Sequence, residues 1–126
     1  NSCEAISNST GEIILETSYR HGMSVSVGGT QQKIHLPLLI SIRDNGVGIS
    51  SELTSNIFEP FITTKASGTG LGLAFVAKAV SDHGGVVEVD SFPGNTVFQI
   101  TLPVAKSSDN AGSAFTEFEI GLNTKE

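Results

Sequence analysis

Tryptophan is absent from this chain of 126 residues, and cysteine, methionine and tyrosine occur once each. A lone cysteine, Cys3, excludes an internal disulfide framework and fits a reducing compartment. Basic residues are scarce: 7 Lys and Arg stand against 13 Asp and Glu, a net charge of −6. With no basic block, the chain suits neither nucleic acid nor an anionic membrane surface. No apolar run nears the ~20 residues that cross a bilayer. Nor does a charged start lead into an apolar stretch, as a signal peptide requires. A cytoplasmic location is expected. The first residue is Asn1 and not Met, so the chain reads as processed or as a piece of something longer.

Glycine, by contrast, is plentiful: 14 of 126 residues, against a usual share of roughly 7%. Clustered glycine marks backbone that approaches a ligand or turns through positive φ. Hydrophobic residues make up 38%, which supports one modest core. The expected organisation is one domain over residues 1–104 and a polar tail over 105–126.

Periodicity divides the chain into elements. Residues 1–7 read as the end of a helix, and Asn8 to Gly11 as a turn. Ile13, Leu15, Thr17 and Tyr19 share one face of a strand over 12–20, with Glu16, Ser18 and Arg20 opposite. Residues 23–27 extend that strand or pair with it, and Gly28-Gly29 makes a turn. Leu38, Ile40 and Ile42 are in phase on a second strand. A short helix is expected from Ser50 or Ser51 to Ile57. Residues 58–70 show neither period and read as a loop. Leu73, Val76, Ala77 and Val80 give residues 71–83 an apolar helical stripe, ended by Gly84 and Gly85. Strands over 86–91 and 96–102 flank a turn at Pro93-Gly94-Asn95. Strands and helices without regular βαβ alternation point to an α+β layer fold, mostly antiparallel, with helices on one face of the sheet.

Four constellations carry chemistry. Asp44-Asn45-Gly46-Val47-Gly48 follows a strand. It makes an ordinary polar turn, yet Asp44 is in phase with the apolar side, where a carboxylate needs a hydrogen-bonding partner. Gly68-Thr69-Gly70-Leu71-Gly72-Leu73 opens a helix whose free N–H groups suit an anion; the plainer reading is a hinge. It is neither the dinucleotide fingerprint nor a P-loop. Between them, Phe58-Glu59-Pro60-Phe61-Ile62-Thr63-Thr64-Lys65 offers two aromatic anchors, hydroxyl donors at Thr63 and Thr64, and a cation at Lys65, which is a solvated charge unless a phosphate lies beside it. Asn1 and Glu4, three apart on a helix, present hard oxygens of the kind Mg²⁺ prefers.

In this order and spacing, the motifs resemble the catalytic ATP-binding domain of sensor histidine kinases, in the wider group with gyrase, the Hsp90 chaperones and MutL. Residues 1–5 look like the end of the N box. Asp44 to Gly48 look like the G1 box, Phe58 to Phe61 the F box, and Gly68 to Leu73 the G2 box. The Asn-x-Cys-Glu-Ala start, the insert over 19–37 and Phe61-Ile62-Thr63-Thr64-Lys65 resemble the nitrogen-regulation sensor kinases of NtrB type.

The resemblance implies a two-layer α/β sandwich of Bergerat type holding Mg²⁺ and ATP under a lid. Asp44 would accept from the adenine amino group, with Gly46 and Gly48 shaping that pocket. Asn1 would hold the metal. Gly68, Thr69, Gly70, Leu71 and Gly72 would hinge the lid and present N–H groups to the phosphates, with Thr64 and Lys65 assisting there. The partners implied are a dimerisation domain bearing the phosphoacceptor histidine and a cognate response regulator. His21, His35 and His83 each precede a residue other than the acid that follows such a histidine. The alternatives are an ATP-hydrolysing relative that drives conformational change, and a binding module without chemistry.

Overall fold

The computed structural model describes residues 1–6, 10–26 and 32–105. The expected Gly28-Gly29 turn, part of the turn over 8–11, and the tail beyond residue 105 lie outside these. The elements are α1 (Ser2–Ala5), β1 (Ile13–Tyr19), β2 (Ser24–Ser26), β3 (Lys33–His35), β4 (Leu38–Asp44), α2 (Ser51–Thr54), α3 (Gly72–Asp82), β5 (Val86–Phe92) and β6 (Asn95–Leu102).

Four strands form one sheet in the order β1-β4-β6-β5, and every pairing in it is antiparallel. The register stacks residues of like character into rows. Leu15, Ile42, Phe98 and Val89 make one row, and Thr17, Ile40, Ile100 and Val87 the next. At the end of the same face stand Ile13, Asp44, Thr96 and Ser91. A strand alternates its side chains between faces, so Asp44 lies on the side of the apolar rows, as its phase predicts.

Helices α2 and α3 pack against β5, and α1 against β4. The register of α3 follows the expected stripe, with Val80 buried and Phe75 and Lys78 outside. It closes as expected, with Gly84 N–H donating to Ser81 O at 2.8 Å and Gly85 N–H to Val80 O at 2.9 Å. The edge strand β1 is less covered: Leu15 is 68% exposed, and Ile13 and Tyr19 are also open.

Two expectations are corrected. Residues 23–26 neither extend nor join β1; β2 pairs with β3 in a separate two-stranded sheet. That hairpin is rooted by Arg20 N–H donating to Pro37 O and Leu36 N–H to Met23 O, and Leu36 is the most buried side chain described. Alternation alone does not say which strand a strand meets. Helix α2 also stops at Thr54 and not at Ile57, and turns follow through Phe58. The Thr54 and Ser55 hydroxyls bond back to the Ser50 and Ser51 carbonyls, a competition that weakens short helices.

Candidate functional site

A cavity of roughly 840 Å³ opens between the helices and the polar end of the sheet, the size expected of a small-molecule site. Strand β4 delivers Asp44 to its floor. This carboxylate is 3% exposed, and its Oδ1 accepts the Gly46 N–H at 3.0 Å. Thr96, its register partner on β6, is equally buried and lines the same cavity. The Thr96 and Ser91 hydroxyls lie 2.8 Å apart, and Ser91 Oγ accepts the Ile49 N–H at 2.9 Å. A carboxylate oxygen beside a hydroxyl suits a planar ligand edge with an N–H next to a ring nitrogen.

The expected pocket-shaping glycines part company here. Gly48 lines the cavity at φ +82, and a Cβ there would sit 2.8 Å from the Phe92 backbone. Gly46 does not line it. Its missing side chain instead makes room for Ala5, whose carbonyl oxygen would be 2.7 Å from a Cβ and accepts the Val47 N–H. Asn45 faces away, its side chain bonded to Glu12 N–H and Thr10 O.

The loop over residues 58–70 forms the opposite wall. Phe58 anchors it, edge-on to Phe98 with ring centroids 6.4 Å apart, a contact worth about 0.5–1.5 kcal/mol beyond area burial. Phe61 is no anchor, contrary to expectation: it is 76% exposed and its φ is +69. Its N–H donates to Gly70 O at 2.9 Å, and Gly70 itself takes φ +66 with the Phe61 backbone 2.5 Å from a Cβ position. The crossing is too tight for a side chain at residue 70.

Thr64, Lys65, Gly68, Thr69, Gly70 and Gly72 all line the cavity. Leu71 does not; its side chain is exposed, and its N–H donates to Thr69 Oγ1 at 3.4 Å. No side chain caps α3, so its first N–H groups remain open to a ligand, and a Cβ at Gly72 would meet nothing within 4 Å.

Lys65 reaches across to α1. Its ammonium donates to Asn1 Oδ1 at 3.2 Å and to Glu4 Oε2. The bonded Lys65 ammonium, and then its charge, hold the Glu4 carboxyl below the usual carboxylate range. Asn1 Oδ1 thus already faces a cation at this end of the cavity, so it fits a divalent ion that would complete its shell with phosphate oxygens and water. Thr96 and Ser91 are site residues that the sequence does not point to; only the register brings them in. None of His21, His35 and His83 lines the cavity.

Comparison with known proteins identifies the family. Residues 3–106 match the family described as histidine kinase-, DNA gyrase B- and HSP90-like ATPases. The chain is 54% identical over 112 residues to the sensory histidine kinase/phosphatase NtrB of Azospirillum brasilense, covering 89% of this chain and 28% of that protein. It is 50% identical over 107 residues to NtrB of Rhizobium meliloti, covering 84% and 28%. It therefore spans less than a third of the length of these relatives. Among solved structures, full-length ShkA in complex with AMPPNP is similar at 28% identity and a TM-score of 0.59, over 78% of this chain and 18% of that one. The nucleotide-free catalytic domain of the histidine kinase ThkA is similar at 29% identity and a TM-score of 0.54, over 74% and 53%. The chain belongs to the family of histidine kinase-, DNA gyrase B- and HSP90-like ATPases, and within it resembles the NtrB sensory histidine kinases.

Proposed function

We propose that this domain binds Mg²⁺ and ATP and donates the γ-phosphate to a histidine on a separate dimerisation domain, in a cytoplasmic two-component nitrogen-regulation system ending in a cognate response regulator. The observation that carries this reading is that one cavity joins the buried Asp44 carboxylate at one end to Lys65, Gly70 and the open start of α3 at the other. Asp44 accepts from the adenine amino group, and Thr96 meets the neighbouring ring nitrogen. Free N–H groups at Gly70 and Gly72 and the Lys65 ammonium take the phosphates. Asn1 Oδ1 is the side-chain oxygen for Mg²⁺, which when bound neutralises phosphate charge. Phosphoryl transfer asks mainly for such positioning and charge neutralisation.

The acceptor domain docks beside the phosphate end. Phe61, Leu71 and Phe75 are all exposed there, Phe75 at 75%. Leu71 and Phe75 are one turn apart on α3, and Phe61 is bonded to Gly70. Exposed apolar side chains on the segments that lead into the cavity wall are what a helix bearing the acceptor histidine needs.

The test is transfer in trans. Incubated with labelled ATP, this chain alone stays unlabelled, and added dimerisation domain from an NtrB relative becomes labelled on histidine. Label on His21, His35 or His83 of this chain would overturn the reading, as would an unlabelled partner despite measured ATP binding.

A further inference from the structure

Glu4 stands at the phosphate end of the cavity with the wrong sign for a phosphate ligand. An acid there repels the anion that the rest of the site attracts, unless a cation covers it. Lys65 does so. It comes from the far side of the cavity, out of a loop with no regular structure, and bonds Glu4 Oε2 and Asn1 Oδ1 together. An ammonium has three donors. Two are used on α1, and the third remains for the cavity that Lys65 lines.

We infer that Glu4 is the positioning residue for Lys65: it draws the loop-borne ammonium onto the phosphate end of the cavity before nucleotide arrives and keeps it there afterwards. Lysine carries large rotamer freedom, which a ligand must otherwise quench on binding. Glu4 quenches it in advance and closes the loop across the cavity in the same bond. A divalent cation on Asn1 Oδ1 would free the Lys65 donor spent there for phosphate, while the bond to Glu4 would remain. Glu4 touches no substrate in this scheme; it acts through Lys65 alone. The nucleotide arm of this inference rests on the proposed function, whereas the hold on Lys65 does not.

The experiment compares the native chain with Glu4→Gln, Lys65→Gln and the double variant. Glu4 is exposed, so unfolding is not at issue, and circular dichroism checks it. Without nucleotide, trypsin cleaves after Lys65 faster in Glu4→Gln than in the native chain, and Glu4→Asp restores part of the protection. In titrations with AMPPNP and Mg²⁺, Glu4→Gln binds about two- to fivefold more weakly, the range of an exposed ion pair. Lys65→Gln binds more weakly still, and the double variant equals Lys65→Gln, because nothing is left for Glu4 to position. Equal cleavage in the native chain and Glu4→Gln overturns the inference. So does tighter AMPPNP binding by Glu4→Gln, or a double variant weaker than Lys65→Gln. If the native chain binds no AMPPNP, the proposed function fails, and the cleavage comparison still decides whether Glu4 holds Lys65.

Discussion

Asp44 and Thr96 face one another as register partners across β4 and β6, each 3% exposed, and together they form the floor of the cavity. One carboxylate oxygen is committed to Gly46 N–H. The carboxylate is therefore fixed before a ligand enters, and its orientation costs nothing on binding.

If Asp44 meets adenine as proposed, replacing it by Ala strands the adenine amino group. The expected loss is about 1–3 kcal/mol, or roughly five- to more than a hundredfold in ATP affinity by titration calorimetry. The fold survives, because the side chain faces a cavity and not packed apolar atoms. The Gly46 N–H loses its buried partner, at a cost of about 1–3 kcal/mol, so the melting temperature falls while the transition stays cooperative. Unchanged ATP binding would refute the adenine assignment.

Gly70→Ala tests the loop crossing. A side chain at positive φ costs about 1–2 kcal/mol, and here it also meets the Phe61 backbone at 2.5 Å. The expected result is faster proteolysis within residues 62–69 and weaker nucleotide binding, with α3 and the sheet intact by circular dichroism. Native-like proteolysis and affinity would mean that the crossing is not needed.

Phe61→Gly and Phe75→Ser separate docking from folding. Phe61 holds a bulky side chain in a conformation that costs of order 1–3 kcal/mol. Glycine relieves it, so the melting temperature does not fall. Phe75 is exposed, and its loss changes stability by no more than about 0.5 kcal/mol. Both variants bind ATP normally and transfer phosphate to the acceptor domain more slowly. Unaltered transfer by both variants would locate the acceptor elsewhere.

EDTA weakens nucleotide binding by the native chain, and Asn1→Ala shrinks the gap between the measurements with Mg²⁺ and with EDTA. An undiminished gap would assign the metal to other oxygens.

Much of this was legible in the sequence where a side chain answers to its own neighbours. The phase of Asp44 with Leu38, Ile40 and Ile42 put it on the apolar side before any strand was paired. The stripe through Leu73 and Val80 and the stop at Gly84 define α3. What depends on distant segments was not legible. Thr96 becomes a site residue only through its register with Asp44. Alternation in residues 23–26 does not say whether β2 meets β1 or β3. An aromatic side chain in a loop reads as an anchor, yet Phe61 is exposed at positive φ where its backbone crosses Gly70. Glu4 and Lys65 lie far apart in the chain, and only the folded loop joins them.

The bond from Phe61 N–H to Gly70 O also has a consequence for exchange rates. It clamps the base of the loop on the protein's own backbone, below the span that carries Thr64, Lys65 and Gly68. Entry and departure of a ligand then require only the short arch above the clamp to swing, a motion on the scale of a loop and not of a domain. Under the proposed function, lengthening or shortening that arch would retune how long a nucleotide stays, while β4 and β6, which would meet its base, are left as they are.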